Sequence, residues 1–449
     1  MKENVLSRFL RAYKNIQISK SPQMNLVWGF FIYTILGFVM LSIPLFHRDS
    51  VGFLDNLFIS TSAISTTGLV TVSIYDNYNI VGQLIIMILF QIGGIGYMTL
   101  TTYYLLFTTK NITRWHNKII GAEFTLPKTI MIKDFIKSVV VFTIIMEVLG
   151  TFAFYVGFVQ AGMDTGQAIW FSIFHSVSAF CTAGFGLFND SFEGYSDNVL
   201  INSIISVLAI SGSLGFIVIT DVWYRVRGLS KKISFTTKII IYGFLLLLSM
   251  GTVLVYFTEP LIHDSESPLM KSFFQAMTAM TTVGLNTIPT GNLSLPILLF
   301  VTFLMYLGAS PSGTAGGLKI TTLTAMISIL KSRLFGQKNI TFLGRAIPFE
   351  RLYVATSTFI LYTSIIFLFC FLMSFTEDFE FEKILFEIAS ALGTVGLSTG
   401  ITGDLSTSGK VLIIILMFIG RVGVLTFGFA LLERKRNDEK SIVEDDLAV

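Results

Sequence analysis

Hydrophobic residues in this chain come in long unbroken runs, not in the alternating or one-in-three patterns of a soluble domain. An α-helix needs about 20 apolar residues to cross the roughly 30 Å hydrocarbon core of a bilayer. Eight stretches meet that length: 26–47, 81–108, 136–159, 199–223, 237–257, 295–330, 352–374 and 410–432. The first follows a polar, basic segment (Lys2, Arg8, Arg11, Lys14, Lys20) and has no small-residue cleavage site. It is therefore expected to be a span rather than a signal peptide. The pattern predicts an all-α membrane protein.

Composition agrees. Of 449 residues, 53% are hydrophobic and 13% charged, against about 25% charged in a soluble domain. Such a chain cannot clothe a soluble surface. The net charge of +3 gives no support to nucleic-acid binding. Two cysteines, Cys181 and Cys370, and four histidines exclude a disulfide framework and a Cys- or His-rich metal cluster. Charge instead orients the chain. Of the 31 Lys and Arg, 25 fall in the N-terminal segment, three alternate loops within 110–137, 225–238 and 331–351, and the C-terminal tail. Only Arg48, Lys271, Lys383 and Lys410 fall on the opposite side, while Lys319 and Arg421 lie inside apolar segments. The positive side is cytoplasmic, so both termini are expected there. The outer loops are acidic (Asp190, Glu193, Asp197, Glu377, Asp378, Glu380, Glu382). That bias either merely tolerates export or concentrates cations at an entrance.

The chemistry sits in an internal repeat. The pattern F-x-x-x-[ST]-A-x-x-T-x-G-[LF] occurs four times, beginning at Phe58, Phe174, Phe274 and Phe386. Its T-x-G elements are Thr66-Thr67-Gly68, Thr182-Ala183-Gly184, Thr282-Val283-Gly284 and Thr394-Val395-Gly396. The glycines lie 116, 100 and 112 residues apart (68 to 184, 184 to 284, 284 to 396). Each copy falls between two apolar runs on the outer side, so the repeating unit is span, short pore helix, turn, span. Eight spanning helices and four short pore helices around a central pore are expected. A turn at membrane depth is tolerated only where it lines a watery cavity. Glycine allows the positive φ that turns successive carbonyls to one side, and rings of carbonyls can replace a cation's hydration shell. The negative C-terminal end of each preceding helix favours a cation too. Copies three and four look like the first three residues of the TVGYG filter of potassium channels. The second runs carry G-x-x-G pairs (Gly93 and Gly96, Gly212 and Gly215, Gly420 and Gly423), with Gly308 at the equivalent place in the third. These are read as close-packing seams between helices.

The sixth run is too long for one span and is broken by Gly308, Ala309, Ser310, Pro311, Ser312, Gly313, Thr314, Ala315, Gly316 and Gly317. Gly costs about 1 and Pro about 3 kcal/mol in a helix interior. If the helix starts near Leu295, Gly308 lies roughly 20 Å down it at about 1.5 Å per residue. Two readings fit: a helix kink, or a pliable loop that constricts the pore. Arg421 is expected at similar depth, where an unpaired guanidinium costs at least about 2.5–3.5 kcal/mol. The carbonyls freed by the loop are its expected partners, with Glu147 of the third span as the competing one. Lys319 sits nearer the cytoplasmic end and has room to snorkel. His175 and Glu387, ahead of the T-x-G elements, are expected to bond neighbouring backbone rather than ions.

With these residues the chain resembles the Trk/Ktr/HKT superfamily of potassium transporters, and within it the membrane subunits of bacterial Ktr systems, the KtrB/KtrD type. The resemblance covers about 26–432 and rests on the four T-x-G elements, the break at Gly308–Gly317 and Arg421. It implies K+ uptake across a bacterial cell membrane through a pore within each protomer, with K+ held by filter carbonyls. It also implies a homodimer docked on a cytosolic RCK-type (KtrA/KtrC-like) ring, which would carry the nucleotide. Plant relatives with Ser at the first filter glycine are associated with sodium selectivity, whereas Gly68 is retained here. The expected organisation is a cytoplasmic segment 1–25, repeats at 26–109, 134–224, 236–330 and 352–432, and a cytoplasmic tail 433–449. The alternative is a sodium- or proton-coupled secondary transporter with alternating access. Against it, all four repeats share one topology and no T-x-G element carries an acid. An enzyme is not expected, since no H-E-x-x-H, Ser/His or paired-carboxylate constellation is present.

Overall fold

The computed structural model describes residues 21–96, 99, 103, 131–230, 232–263, 265–308 and 310–431. Helices account for nearly all of its regular structure, apart from one small hairpin, β1 (Thr341–Phe342) and β2 (Arg345–Ala346). Each repeat begins with a long apolar helix: α1 (Pro22–Leu41), α4 (Ile132–Gln160), α8 (Phe235–Thr258) and α12 (Phe349–Met373). All four are long and apolar enough to cross a membrane. Each is followed by a short helix: α2 (Phe53–Ile64), α5 (Thr165–Phe180), α9 (Pro268–Thr281) and α13 (Phe381–Gly393). The short helices end at the four T-x-G elements and pack against the long helix before them.

The returning helices are shorter than their apolar runs. α3 (Ile80–Ile95) stops at Gly96 (φ +85°). α6 (Val199–Ser213) and α7 (Phe216–Val226) meet at 89°, and α14 (Thr407–Val422) and α15 (Val424–Leu431) at 99°. α10 (Leu295–Tyr306) is separated from α11 (Ile320–Leu334) by the glycine-rich segment. Continuous spans at 199–223, 295–330 and 410–432 are thus corrected to broken ones; the 81–108 run is interrupted at Gly96, and 97–98, 100–102 and 104–108 lie outside the described residues. The cause is local. Gly215 and Gly423 have φ of +85° and +90°, where a right-handed helix cannot continue and a side chain is disfavoured.

The G-x-x-G pairs therefore do two jobs where one was expected. The second glycine breaks the helix. The first supplies the seam: a Cβ on Gly93, Gly212 or Gly420 would strike the carbonyl oxygen of Ile64, Phe180 or Leu392, at the C-terminal ends of α2, α5 and α13. Gly308 departs from this, facing Gly316 of its own loop. Gly212→Ala is accordingly expected to destabilise the fold by roughly 1–3 kcal/mol through overpacking, measured as a lowered thermal unfolding midpoint in detergent.

Polar residues fix where the apolar helices start on the side of the short helices. Asn79 caps α3 (Val81 N 3.0 Å, Gly82 N 3.1 Å) and Asn198 caps α6 (Ile201 N 3.0 Å). Two nearly inaccessible carboxylates repeat one device. Glu259 accepts from Ser294 N (3.0 Å) ahead of α10, and Glu377 from Ser406 N (3.1 Å) ahead of α14. Each ties the end of one long helix to the start of the returning helix.

Candidate functional site

The four T-x-G elements, far apart in the chain, close into a ring. A Cβ placed on Gly68 would lie 2.6 Å from the Ala183 carbonyl oxygen, and one on Gly184 would lie 3.0 Å from that of Val283. Cβ atoms on Gly284 and Gly396 would press still closer on the carbonyls of Val395 and Thr67. The order is cyclic, copy one to two to three to four and back to one. Each glycine is needed because its neighbour's carbonyl occupies the place of a side chain. Backbone shape agrees: Gly68, Gly184, Gly284 and Gly396 have φ of +92°, +71°, +71° and +95°.

The threonines share the left-handed conformation, with φ of 53°, 49°, 55° and 49° at Thr66, Thr182, Thr282 and Thr394. A β-branched residue is rarely found there. Such strain costs about 1–3 kcal/mol per site and persists only where the surroundings impose it. Here the hydroxyl at the [ST] position of the repeat imposes it. Ser62 Oγ accepts from Gly68 N (3.1 Å) and Ser390 Oγ from Gly396 N (3.0 Å). In the other two copies the hydroxyl donates instead, Ser178 to Phe185 O (2.7 Å) and Thr278 to Leu285 O (2.6 Å). The strand after the turn is clasped from behind in every copy.

The threonine side chains also bond beyond their own turns. Three of the four hydroxyls meet the Gly308–Gly317 segment or the cation beside it. Thr182 Oγ1 donates to Thr314 Oγ1 (3.0 Å), and Thr282 Oγ1 accepts from Gly316 N (3.2 Å). Thr66 Oγ1 accepts from Arg421 Nη1 (3.0 Å). In copy four, Gly316 lies so close to Gly393 and Thr394 that a Cβ would clash with both. The segment thus lies across the threonine side of the ring.

The segment is anchored at its other edge by the broken helices. Phe216 N donates to Ser312 O (3.1 Å) and Thr314 N to Gly212 O (3.2 Å), so the break between α6 and α7 holds it. Gly215 faces Ser310 and Pro311, and Gly313 faces Ser213. Ser312 and Gly317 turn the chain with positive φ (+63° and +67°). Ala309 lies outside the described residues.

Arg421, near the end of α14, reaches the segment directly, Nη1 donating to Thr314 O at 2.8 Å. Its Nη2 donates to Gly93 O and, at 3.3 Å, to Gly94 O at the end of α3. The links to Thr66 and to Gly93 and Gly94 had no signal in the sequence. Lys319 does not snorkel: its Nζ turns back to donate to Ala315 O (2.6 Å) and Gly316 O (2.8 Å). Two cations therefore hold carbonyls of one ten-residue segment. A cavity of about 700 Å³ opens beside it, lined by Pro311 to Gly313, Ala315 to Lys319 and Arg421 among others.

On the side away from that segment, His175 accepts from Leu187 N through Nε2 (3.1 Å), with its Nδ1 against Phe171 O (2.8 Å), as a backbone-bonding role requires. Glu387 departs from that expectation. Its carboxylate is fully buried and accepts from the side-chain hydroxyls of Ser398 (2.9 Å) and Thr402, both in the loop after copy four. The few basic residues at this end of the bundle are neutralised: Lys271 pairs with Asp197 (3.0 Å), Lys410 with Asp55 (2.9 Å) and Lys383 with Glu380 (2.9 Å). Arg48 stacks over Tyr75 at 4.8 Å. Asp190, Glu193 and Asp76 then leave this end acidic.

A helical bundle whose four T-x-G turns bring their carbonyls into one ring, with no carboxylate among the turn residues, suits a cation transport protein. The chain belongs to the TrkH family of cation transport proteins, which it matches over residues 31–440. It is 34% identical over 439 residues to the potassium/sodium uptake protein NtpJ of Enterococcus hirae, covering 95% of this chain and 96% of that one. It is 32% identical over 425 residues to the Ktr system potassium uptake protein B of Bacillus subtilis, covering 93% and 94%. Its fold matches the potassium transporter TrkH of Vibrio parahaemolyticus with a TM-score of 0.70 at 20% identity, over 92% of this chain and 86% of that one.

Proposed function

We propose that this protein is the pore-forming membrane subunit of a bacterial potassium uptake system. The single observation that carries the reading is the cyclic closure of the four T-x-G turns. A dehydrated K+ needs several oxygens at once, and the carbonyls of Thr67, Ala183, Val283 and Val395 converge on one ring. With α3, α6–α7, α10–α11 and α14–α15 counted as the returning halves, the chain makes eight spans and four pore helices. Both termini then lie on the cytoplasmic side. The Gly308–Gly317 segment, with Lys319 and Arg421, is the gate: it crosses the inner face of the ring, and hydrogen bonds to the threonines and to both cations hold it there. K+ is the cargo, and no cofactor is required by this chain. A homodimer and a cytosolic RCK-type ring that binds nucleotide complete the system, in keeping with the Ktr names of its relatives.

A second reading, uptake coupled to sodium, is favoured by one relative's name, potassium/sodium uptake protein. Two measurements address both. Expressed in cells lacking their own potassium uptake systems, the protein is expected to restore growth at low external K+. In reconstituted vesicles the current is expected to reverse at the K+ equilibrium potential whatever the sodium gradient. A reversal potential that follows the sodium gradient at fixed K+ would establish coupling, and failure to carry K+ would overturn the proposal.

A further inference from the structure

Directly after the phenylalanine that opens each repeat, the four copies carry Ile59, His175, Gln275 and Glu387. Two of these grip the loop that follows their own turn. In copy two, His175 Nε2 accepts from Leu187 N (3.1 Å), three residues beyond Gly184. Its ring stacks on Phe188 (centroids 5.0 Å apart, planes at 14°) and meets Phe192 edge-on at 5.0 Å. In copy four, the fully buried Glu387 accepts from Ser398 Oγ (2.9 Å), two residues beyond Gly396, and from Thr402 Oγ1. Ser398 Oγ in turn accepts from Gly400 N (3.0 Å). Gln275 is as deeply buried, yet neither its amide nitrogen nor its oxygen has a hydrogen-bond partner among the described residues. Ile59 offers packing alone.

Copies one and three are held by their neighbours instead. Phe192 N donates to Asn286 O (2.9 Å) and Asn286 N to Ser191 Oγ (3.1 Å), which ties the loop after copy three to the loop after copy two. Gly291, further along that loop, packs so closely on copy four that a Cβ there would lie 2.5 Å from Thr399 O. Copy one reaches copy two through Asn189, which accepts from Ser73 Oγ (2.6 Å) and donates to Asp76 Oδ2 (2.8 Å). In the cyclic order of the ring, copies two and four stand opposite each other. We infer that His175 and Glu387 are positioning residues for ion selection: they fix two opposite turns of the ring, and the other two turns are located against them. Selection by carbonyls depends on the size of the ring or on the number of oxygens that reach the ion. Both change when a turn drifts. The inference rests on the proposed function and deepens it, naming residues that set specificity without touching the ion.

The test pairs bi-ionic reversal potentials in reconstituted vesicles with hydrogen–deuterium exchange of the purified full chain. Glu387→Leu, close in size but without acceptors, is expected to raise the sodium-to-potassium permeability ratio at least about threefold, the scale of one lost hydrogen bond. Amides 397–405 are expected to exchange faster in the same variant. Glu387→Gln keeps an acceptor and adds a donor for the two hydroxyls, so it is expected to retain the wild-type ratio. Thr402→Val removes one hydroxyl at nearly constant shape. It is expected to shift the ratio the same way by less, and it serves if Glu387→Leu does not fold. His175→Leu is expected to act alike through copy two, with faster exchange at 187–195. Glu377→Leu is the control, because Glu377 is also buried but bonds Ser406 N at the start of α14. It is expected to lower the thermal unfolding midpoint and leave the ratio unchanged. Faster exchange at 397–405 with a wild-type ratio, in folded Glu387→Leu or Thr402→Val, would overturn the inference and leave Glu387 a structural residue only. So would an equal shift of the ratio in Glu377→Leu. A wild type that carries no K+ would overturn the proposed function and this inference with it, whereas those results in a conducting protein overturn the inference alone.

Discussion

Arg421→Ala is expected to raise potassium flux about ten- to a hundred-fold per folded molecule, without any cytosolic partner. The guanidinium spans three elements. It donates to Thr314 O in the segment below the ring, to Thr66 Oγ1 in copy one, and to Gly93 O and Gly94 O at the end of α3. A charge-assisted hydrogen bond contributes about 1.5–3 kcal/mol net, and each 1.4 kcal/mol is about tenfold in a two-state balance. Removing the guanidinium also removes a fixed positive charge from beside the ring of T-x-G carbonyls. Deletion of Ser310 to Ala315 is expected to act in the same direction, since it takes away the Thr314 contacts with Thr182, Gly212 and Arg421 together. The alternative is that Arg421 only braces α3 against α14, in which case the variant folds poorly and its flux falls. Uptake per folded molecule, with the amount of monodisperse protein measured by size-exclusion chromatography, separates the two. Well-folded Arg421→Ala protein with unchanged or reduced flux would rule out the gate.

Gly68→Ser is expected to lower the preference for potassium over sodium at least tenfold while leaving some cation flux. Two physical constraints meet at this position. The φ of +92° is one that residues with a Cβ rarely adopt. A Cβ would also sit 2.6 Å from Ala183 O and 2.6 Å from the Cα of Gly184. The serine can be accommodated only if copy one or copy two moves, and either movement takes a carbonyl out of the ring. A ring with three well-placed carbonyls and a hydroxyl discriminates less between ions of different size. The permeability ratio from reversal potentials under bi-ionic conditions measures this directly. An unchanged ratio would mean that carbonyl geometry at copy one does not set selectivity. Gly396→Ser meets the carbonyl of Thr67 in the same way and is expected to behave alike.

Much of this arrangement was legible in the order of residues, and the repeat explains why. The F-x-x-x-[ST]-A-x-x-T-x-G pattern carries its own local geometry. Its [ST] hydroxyl clasps the backbone beyond the turn, and its glycine permits the positive φ, so four matching segments had to make four matching turns. The break at Gly308–Gly317 was legible for the same kind of reason, since Pro311 and four glycines cannot continue a helix. Breaks at Gly215 and Gly423 were missed because a G-x-x-G pair in an apolar run is also compatible with a straight, closely packed helix. The positive φ that Gly215 and Gly423 adopt is what bends the helix, and it shows only in the folded chain. The two roles of each G-x-x-G pair look identical in one dimension.

Side-chain partnerships divide along the same line. His175 bonds within its own repeat, to Phe171 O and Leu187 N, and proximity in sequence was enough to anticipate it. Lys319 also bonds locally, to carbonyls three and four residues back, but snorkelling to the interface competes for the same ammonium and no sequence rule decides between them. Arg421 is different again. That a buried guanidinium must find acceptors follows from its desolvation cost alone. That the acceptors include Gly93, 328 residues earlier, follows only from where the broken end of α3 comes to rest. The sequence by itself determined that this chain is a bundle of apolar helices with four copies of one turn and a break in the sixth run, because those features depend on local backbone preference and hydrophobic length. The tertiary structure decided that the four turns share one ring in cyclic order, that three threonine hydroxyls meet the segment or its arginine, and that Glu147 faces Cys181 while Arg421 bonds elsewhere. Those are distances between residues about 30 to 350 positions apart, and a chain's local preferences carry no information about them until the helices pack.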